Sequence, residues 1–401
     1  MNEGTLLYNV SFLLSRCIMN KEPIRIGMIM GKWVGGGVEA VIMNYYRHID
    51  RNKIQFDFIC DEDSTCIPRE EIESLGGKVI ICPPYQKLNK YIKFLKRLFK
   101  ENNYKIVHSN INTLSVFPLY AAKKAGVPIR IAHSHSTSNK VEWKKNIVKS
   151  ILKPFSTKYA NCFFACTEHA ARYQFGNKMY DSGEVTIINN AIDLDKFKYN
   201  EKIRKEIRKE LQIKDNVVVI GHIGRFIPQK NHTFLIDVFN EYHKKEPNSV
   251  LLLIGQGPLV NDIKNKVDSL KLNDSVKFLG QKSNINDMYQ AMDAFILPSL
   301  YEGLGMVLIE AQVNGLPCYA STEVPMVAKV TDKINFIGLK EPIKIWVLNI
   351  RKTLNYKKRE IDINMIKKVG FDIESESKKL ELKYFELIGE KNYEYSKRFK
   401  K

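Results

Sequence analysis

Two carboxylates, Glu302 and Glu310, flank a glycine-containing segment towards the end of the chain. Residues 298–311 read PSLYEGLGMVLIEA and follow an apolar run, 294–297, that predicts a β-strand. A strand, a glycine turn and a helix leave backbone N–H groups free to bind an anion. Ionised carboxylates beside such a turn accept hydrogen bonds from hydroxyl groups. These residue types at this spacing therefore predict a site for a sugar nucleotide.

A second polar motif follows another predicted strand, 217–223. The sequence of residues 221–231, GHIGRFIPQKN, places Arg225 and Lys230 just past the end of that strand. A guanidinium group suits two phosphate oxygens, and an ammonium group adds a point charge. Alone, the two residues could be an ordinary surface pair at a strand exit. Combined with the glutamate motif, they predict a diphosphate site in which negative charge on a leaving group is stabilised.

Together the two motifs resemble those of the retaining glycosyltransferases of family 4, which have the GT-B fold. The resemblance covers residues 24–340. Within the family, the chain most resembles bacterial capsular and exopolysaccharide enzymes, especially over residues 31–46 and 131–137. It implies transfer of a hexosyl unit from a nucleotide sugar with retention of anomeric configuration. The expected donor is a UDP-sugar, and the expected acceptor is a polyprenyl-diphosphate-linked oligosaccharide at the cytoplasmic face of the membrane.

The resemblance also implies a role for individual side chains. Arg225 and Lys230 would hold the diphosphate, Glu310 the ribose, and Glu302 the donor sugar. Front-face departure assisted by the diphosphate, the mechanism generally proposed for such enzymes, needs no protein nucleophile. The remaining residues expected to bind the donor are Gly36, Gly37, Gly255, Gly303, Leu304 and Gly305.

Three histidines lie near the ends of adjacent predicted strands in the first half of the chain. His135 ends the predicted strand 129–135, His133 is two residues earlier on the same side, and His108 ends the preceding strand. Many family members place a histidine here beside the donor sugar, which makes His135 a catalytic candidate and the other two weaker ones. A neutral imidazole could hydrogen-bond the sugar or assist the acceptor hydroxyl. Asn190, in the stretch NNAID that resembles the end of the family's first domain, is another weaker candidate.

A glycine run precedes the first predicted helix, 38–48. Gly35, Gly36 and Gly37 do not form a G-x-G-x-x-G dinucleotide fingerprint, and the chain contains no G-K-[ST] phosphate loop. The family has a glycine-rich loop at this position, near the leaving diphosphate and the acceptor. The resemblance therefore implies donor binding by Gly36 and Gly37, with Glu39 as a weaker contributor.

Predicted strands and helices alternate through both halves of the chain. The alternation breaks around 190–200 and then restarts, so the expected fold class is α/β with two doubly wound, Rossmann-like domains facing a central cleft. The predicted parts are an upstream extension or membrane-lying segment at 1–18, an acceptor-binding and membrane-facing domain at 19–198, a nucleotide-sugar-binding domain at 199–372, and a helix at 373–401 that returns to the first domain.

The net charge of +19 is unevenly distributed. Between Tyr85 and Ala160 there are 16 basic and two acidic residues, a net of +14. Two basic stretches with helical periodicity, starting at Leu88 and around Trp143, predict that the region Lys87–Lys153 binds an anionic membrane surface. The alternative is a lysine-rich solvated face packed on a sheet. Motifs typical of nucleic-acid binding are absent, so no nucleic-acid partner is expected.

The remaining features limit the cofactors and the compartment. No apolar run is long enough to cross a membrane, and the seven cysteines form no C-x-x-C pair, which favours a reducing cytoplasm and peripheral membrane association. Two D-x-D pairs, at 61–63 and 193–195, lack the context of a metal site, so no metal or other cofactor is expected. Two alternatives stay open, a GT-B sugar-nucleotide epimerase and a non-catalytic partner subunit of a glycosyltransferase.

Overall fold

The computed structural model describes residues 22–135, 152, 155–354 and 359–398. They divide into two compact units: unit 1 runs to Ile192 and resumes at Gly370, and unit 2 is Asp193–Val369. Each unit is a parallel sheet flanked by helices, which confirms the predicted α/β, doubly wound fold class. The predicted extension at 1–18 and most of the basic stretch around residue 143 lie outside the described residues.

Among its described residues, unit 1 is built on seven parallel strands. The strands are β1 Ile24–Gly31, β2 Ile54–Asp61, β3 Lys78–Cys82, β4 Ile106–Ser109, β5 Ile129–Ser134, β6 Cys162–Ala165 and β7 Val185–Ile187. Their order across the sheet is β3-β2-β1-β4-β5-β6-β7. The helices are α1 Gly37–His48, α2 Arg69–Ser74, α3 Leu88–Glu101, α4 Val116–Ala125, α5 Ser156–Tyr159, α6 Glu168–Phe175 and α7 Asn177–Asp181.

The strands of unit 1 are apolar on both faces because helices cover both sides of the sheet. In β1, Ile26 and Met28 belong to one core cluster, whereas Ile29 belongs to the other. This alternation follows from the two-residue period of a strand. It fixes the register, since a slip by one residue would exchange the two sets of side chains.

The basic helix α3 lies on this sheet. Its apolar residues Tyr91, Leu95 and Phe99 are at most 1% exposed and belong to the core of unit 1. The apolar face that the sequence offered to a membrane is therefore occupied by the protein itself. What remains on the outside is a row of cations, with Lys90 and Lys93 both exposed.

In the described part of unit 2 there are six parallel strands. These are β8 Val218–Ile223, β9 Ser249–Ile254, β10 Val276–Gly280, β11 Ala294–Leu297, β12 Cys318–Ser321 and β13 Ile334–Ile337. Their order is β10-β9-β8-β11-β12-β13. The helices are α8 Leu194–Phe197, α9 Glu201–Glu210, α10 His232–His243, α11 Val260–Ser269, α12 Ile285–Ala291, α13 Met306–Val313, α14 Ile343–Thr353 and α15 Ile363–Lys368.

The last helix, α16 Ile373–Arg398, belongs to unit 1. A parallel β-bridge joins Ile192 to Asp372, with the N–H of Ile192 donating to Phe371 O at 3.0 Å and that of Ile373 to Ile192 O at 3.1 Å. These bonds assign residues 371–373 to unit 1. The boundary between the two units therefore lies at 369/370, before the predicted position 372/373. The other boundary falls before the predicted 198/199, because α8 is tied to unit 2 by Asn314 Nδ2, which donates to Phe197 O at 2.8 Å.

The order of strands reverses once in each sheet, between β1 and β4 and between β8 and β11. Ligands of open parallel sheets bind beyond the carboxyl ends of strands at such a switch point. In unit 2 the loops that leave this point begin at Gly224 and Pro298. In unit 1 they begin at Lys32 and Asn110. Within the described residues, no helix is long and apolar enough to cross a membrane.

Candidate functional site

The two predicted motifs of unit 2 are neighbours because β8 and β11 are hydrogen-bonded partners. Phe295 of β11 aligns with Gly221 of β8, so both strands deliver their loops to the same edge of the sheet. The loops are joined by their backbones, since Leu300 N donates to Gln229 O at 2.8 Å. Asn231 Nδ2 adds a bond to Pro298 O at 3.1 Å. The position of one loop therefore fixes that of the other.

Lys230 and Glu302 form a mostly buried ion pair at this edge. Lys230 Nζ lies 2.6 Å from Glu302 Oε1, and the two side chains are 15% and 7% exposed. Ser299 Oγ donates to the same carboxylate oxygen at 2.6 Å, and Gln229 Nε2 donates to Oε2 at 3.3 Å. The structure thus brings the predicted diphosphate cation and the predicted sugar-binding carboxylate into direct contact.

Arg225 lies on the same loop but is exposed. Among the described residues, no hydrogen bond or ion pair holds its guanidinium group. The backbone around it is held more tightly, with Gly224 N bonded to Ile254 O and Phe226 N bonded to Gln256 O, both at 2.9 Å. A fixed backbone with a free guanidinium group suits the capture of an anion from solvent.

Gly255 supports this loop from behind. Its φ is +139°, and a Cβ at that position would lie 2.1 Å from Gly224 O. Gly257 is equally restricted, because a Cβ there would lie 2.5 Å from Phe226 O. The close approach of the two loops therefore requires glycine at 255 and 257. The structure gives Gly255 a role in shaping the Arg225 loop, and a direct contact with the nucleotide stays a prediction.

The glycine turn before α13 leaves its helix start open. Gly305 occupies the N-cap position with φ +79° and carries no side-chain cap, while Gly303 is exposed and has no atom within 4 Å of a Cβ position. Leu304 between them is 5% exposed and packs inward. The first N–H groups of α13 therefore lack a side-chain acceptor among the described residues, as an anion-binding turn requires.

Glu310 lies two turns into α13 and is paired with a tyrosine. Tyr289 of α12 donates a hydrogen bond from its hydroxyl to Glu310 Oε2 at 2.8 Å. Burial raises the pKa of the Glu310 carboxyl to about 7, although the Tyr289 hydrogen bond and the charge of Lys230 act in the opposite direction. The sequence predicted Glu310 but not Tyr289, which comes from another helix and reaches Glu310 through its hydroxyl.

Two histidines of unit 2 lie buried near the same edge and were not predicted. His222 donates from Nδ1 to Ile296 O at 2.8 Å, which leaves Nε2 as an acceptor without a partner among the described residues. His232 stacks on Phe226 with ring centroids 4.1 Å apart, and neither of its ring nitrogens has a hydrogen-bond partner in the part of the chain that the structure describes. Burial lowers the pKa of both rings, that of His232 to about 4. Their position in GHIGRF and KNH was the available signal.

The three predicted histidines of unit 1 form one buried chain. His108 Nε2 lies 3.0 Å from His133 Nδ1, and the rings of His133 and His135 have centroids 3.9 Å apart. His108 Nδ1 lies 2.7 Å from the hydroxyl of Tyr384, which α16 supplies. The strand alternation predicted that His133 and His135 share a side. The anchoring tyrosine was not predicted, since it lies far along the chain.

His135 contacts the side chain of Asn110. Asn110 Nδ2 donates to Ile29 O at 3.4 Å, and Asn110 Oδ1 lies 3.0 Å from His135 Nε2. Burial lowers the pKa of His135 to about 4, and a smaller effect of the Asn190 side chain opposes that shift. Both His135 and Asn190 are buried, at 7% and 8% exposure.

The glycine-rich loop of unit 1 is closed by Glu39. Glu39 Oε1 accepts a hydrogen bond from Val34 N at 3.1 Å, and a Cβ on Gly36 would lie 2.8 Å from Glu39 Oε2. Gly37 has no atom within 4 Å of its Cβ position. The structure therefore brings Gly36 and Glu39 together through the carboxylate, while Gly37 borders open space.

Two family models match the chain, one for each unit. The model described as "Glycosyltransferase Family 4" matches residues 35–196, and that described as "Glycosyl transferases group 1" matches residues 203–340. The "Putative glycosyltransferase EpsF" of Bacillus subtilis is 32% identical over 368 residues, which cover 88% of this chain and 94% of EpsF. The chain belongs to glycosyltransferase family 4. The predicted family and enzyme class are thereby confirmed.

Other proteins are also similar to this family 4 member. The "UDP-Gal:alpha-D-GlcNAc-diphosphoundecaprenol alpha-1,3-galactosyltransferase" of Escherichia coli is 28% identical, covering 71% of this chain and 76% of that protein. The "Capsular polysaccharide biosynthesis glycosyltransferase CapH" of Staphylococcus aureus is 28% identical, with 85% and 96% covered. The crystal structure of Anabaena HepE with UDP and glucose has a TM-score of 0.74 at 18% identity, over 89% of this chain and 98% of HepE. The predicted GT-B fold is confirmed.

The predicted site residues of this glycosyltransferase fall into two groups. Unit 2 brings together Lys230 with Glu302 and places Arg225, Glu310 and the turn at 303–305 on loops and a helix that follow β8 and β11. Unit 1 brings together the histidines and, separately, the glycine loop with its glutamate. Among the residues that the structure describes, no three His, Cys, Asp or Glu side chains are grouped so as to hold a metal ion.

Proposed function

We propose that this glycosyltransferase moves a hexosyl unit from a UDP-sugar to a polyprenyl-diphosphate-linked glycan, with retention, during assembly of a capsule or exopolysaccharide. The observation that carries the proposal is the Lys230–Glu302 pair at 2.6 Å. It places a cation suited to a diphosphate directly against a carboxylate suited to sugar hydroxyls. A sugar nucleotide has a diphosphate and a hydroxyl-bearing sugar, and a single bond joins the two.

The comparisons support the individual parts of this proposal. HepE, which shares the fold, was crystallised with UDP and glucose, which favours a uridine donor. The name of the Escherichia coli relative specifies a UDP-galactose donor and a diphosphoundecaprenol-linked acceptor. The name of CapH specifies capsular polysaccharide biosynthesis. The names of the Escherichia coli relative and of CapH are those of transferases, and they give no support to the alternatives of an epimerase or a silent partner subunit.

The proposed mechanism begins with the diphosphate. Arg225 is exposed and free to engage two phosphate oxygens, and Lys230 then shares its charge between the diphosphate and Glu302. As the bond between the anomeric carbon and the diphosphate oxygen breaks, both cations stabilise the charge on the leaving group. The acceptor oxygen bonds to the anomeric carbon from the same face, and its proton passes to the departing diphosphate oxygen. No metal is needed in this scheme, because two side-chain cations supply the positive charge.

Two carboxylates would hold the other parts of the donor. Glu302 accepts hydrogen bonds from sugar hydroxyls, and Glu310 accepts them from the ribose. His135 would take part as a neutral imidazole, because burial opposes its protonation. An acceptor nitrogen can receive a hydroxyl proton or hydrogen bond, which fits assistance to a sugar or acceptor hydroxyl.

We further propose that the protein works at the cytoplasmic surface of the membrane. The support is the outer face of α3, where Lys90, Lys93, Arg97 and Lys100 are all exposed. Because the apolar face of α3 is buried in unit 1, the attraction would be electrostatic and would not involve insertion. Such binding weakens as salt screens the charges.

Product analysis tests the proposed function. The protein is incubated with UDP-glucose, UDP-galactose and UDP-N-acetyl sugars, with and without a polyprenyl-diphosphate-linked glycan, and both UDP release and glycan mass are measured. We expect acceptor-dependent UDP release and a glycan larger by one sugar, with the anomeric configuration of the donor. Interconversion of free nucleotide sugars without acceptor would instead favour an epimerase. Activity only with a donor of another nucleotide would overturn the uridine assignment.

A further inference from the structure

The geometry points to Tyr289 as a positioning residue for nucleotide binding, which acts on the ribose through Glu310. This inference rests on the proposed function, because it gives a second residue to the site that would hold the ribose. Tyr289 itself is 0% exposed, so it does not meet the nucleotide directly. Its effect must pass through the carboxylate that it contacts.

The side chain of Tyr289 is fixed in place on α12. Its ring packs against Phe197, with centroids 5.9 Å apart, and against Phe295, at 5.6 Å. Its hydroxyl lies 2.8 Å from Glu310 Oε2 and 3.0 Å from Val307 O. With the ring confined between two aromatic neighbours, the hydroxyl stays within reach of both acceptors of α13.

One hydroxyl proton faces two acceptors, and the protonation of Glu310 decides which one receives it. When Glu310 is ionised, Tyr289 donates to Oε2 and leaves Oε1 as a charged acceptor for the ribose hydroxyls. When Glu310 is protonated, its own proton can be donated to the Tyr289 oxygen, and the tyrosine proton then turns to Val307 O. Only the first arrangement offers a charged acceptor to a ribose.

The surroundings of Glu310 make its protonation sensitive to pH and to the Tyr289 hydrogen bond. Burial raises the pKa of its carboxyl to about 7, while the hydrogen bond from Tyr289 and the charge of Lys230 lower it. Tyr289 and Lys230 are the titratable groups within the described residues that shift the pKa of Glu310. Cys318 faces Tyr289 from β12 and stays a neutral thiol, because burial raises its pKa. Loss of the tyrosine hydroxyl would therefore leave more of Glu310 protonated at neutral pH.

The test compares UDP affinity in the wild-type protein and in Tyr289→Phe by calorimetry at about pH 7 and about pH 9. The ratio of the two dissociation constants at each pH removes the titration of UDP itself. We expect UDP binding to be weaker by about tenfold at the lower pH and within about twofold of wild type at the higher pH, where Glu310 is ionised in both proteins. For 2′,3′-dideoxy-UDP the ratio should be near one at both pH values.

Tyr319→Phe is the matched control. Tyr319 is also fully buried in unit 2, and its hydroxyl donates to a backbone carbonyl, Ile350 O, at 3.4 Å. Its loss should leave UDP affinity unchanged at both pH values. If Tyr289→Phe does not fold, 3-fluorotyrosine at position 289 keeps the ring and gives a stronger donor. It should shift the acidic loss of UDP affinity to lower pH.

The outcomes separate the inference from the proposed function. A wild-type protein that does not bind UDP overturns the proposed uridine donor and the ribose role together. A wild-type protein that binds UDP, with Tyr289→Phe equally tight at both pH values, overturns the inference alone. A penalty that is equal for UDP and dideoxy-UDP would mean that Tyr289 only supports the fold. A penalty that persists at high pH would mean that the protonation of Glu310 does not transmit the effect. Either result also overturns the inference.

Discussion

Lys230 Nζ lies 2.6 Å from Glu302 Oε1, and the two residues come from loops that follow neighbouring strands. Neither side chain is more than 15% exposed, so each depends on the other to compensate its charge. A nucleotide sugar that binds here therefore meets a pair that is already balanced. The diphosphate of the donor must compete with Glu302 for the charge of Lys230. The sugar hydroxyls must compete with Lys230 for the carboxylate of Glu302.

Removal of either member of this pair should damage both activity and stability. Lys230→Met leaves the buried Glu302 carboxylate without its cation, and Glu302→Gln leaves the buried Lys230 ammonium group without its anion. We therefore expect kcat/KM for the donor to fall by about 100-fold or more in each variant. Kinetics with the UDP-sugar identified by product analysis provide the measurement. Lys266→Met is the control, because Lys266 and Asp237 form an ion pair of the same 2.6 Å length elsewhere in unit 2. Normal turnover in Lys230→Met would refute the diphosphate role.

Arg225→Ala should separate binding from stability. Because the side chain is exposed and makes no described contact, the unfolding midpoint should stay within about 1 °C of wild type, since such surface changes have small effects. UDP affinity should fall by about 10- to 100-fold, as expected for loss of a charge-assisted pair of hydrogen bonds. Arg225→Lys should recover only part of it, since an ammonium group cannot engage two oxygens as a fork. Equal UDP binding in the wild type, Arg225→Ala and Arg225→Lys would contradict the role of Arg225 in diphosphate binding.

Buried histidines should make the protein sensitive to acid. Burial lowers the pKa of His108 to about 3 and those of His135 and His232 to about 4, from an ordinary value of 6.5. His133 and His222 are shifted in the same direction. The unfolded chain therefore binds more protons than the folded one below about pH 6.5. Stability from these rings is complete above that pH and is lost as the pH falls towards 4.

The measurement is the pH dependence of thermal unfolding. Each such histidine contributes a slope of up to about 1.4 kcal/mol per pH unit within this window. Burial raises the pKa of Glu310 to about 7 and that of Asp61 to about 6, which acts in the opposite sense but involves fewer groups. His232→Phe should reduce the slope, whereas His169→Gln, at an exposed position, should leave it unchanged. A midpoint that is flat between pH 7 and pH 5 would contradict the neutral histidine chain.

Turnover should persist in excess EDTA. The proposed scheme relies on Arg225 and Lys230 for the charge that a divalent cation would otherwise supply. Of the two acidic pairs in D-x-D spacing, Asp63 is paired with Lys32 at 2.8 Å and Asp193 caps α8 through Lys196 N at 3.2 Å. We expect initial rates with and without added Mg²⁺ to agree within error. An absolute requirement for a metal would refute this part of the mechanism.

Charge reversal on α3 should weaken membrane binding. Lys90→Glu with Lys93→Glu changes two exposed cations without touching the buried face of the helix. In flotation with anionic vesicles at physiological salt, we expect the bound fraction to fall several-fold. Lys344→Glu with Lys352→Glu applies the same charge change to exposed positions of α14 and should have little effect. If wild-type protein ignores anionic vesicles, the proposed surface is wrong.

The alternation of strands and helices was predictable because each core strand is a short apolar run between turn residues. The predicted strand 294–297, for example, coincides with the observed β11. The strand β13 was missed, since its four residues follow Asp332-Lys333 and carry little pattern. The helix α14 was also missed, although Trp346, Val347 and Ile350, all at most 1% exposed, have helical spacing.

The site was predictable where a motif lies next to its own strand, and unpredictable where partners come from elsewhere in the chain. Glu310 was found from the spacing to Glu302, but Tyr289 comes from another helix. His108 and His133 were found from strand ends, but the tyrosine that binds His108 comes from α16. Single-sequence patterns describe neighbours along the chain, and these contacts depend on how the sheet order brings distant segments together.

The bridge between Ile192 and Asp372 has a consequence for biosynthesis. Unit 2 is one uninterrupted stretch, whereas unit 1 needs α16, which the ribosome makes last. Until then, the apolar surface that Leu380 and Tyr384 later cover stays open to water. The nascent first half must therefore wait through the whole translation of unit 2 before its core can close. During that interval it is the part of the molecule most in need of chaperone protection.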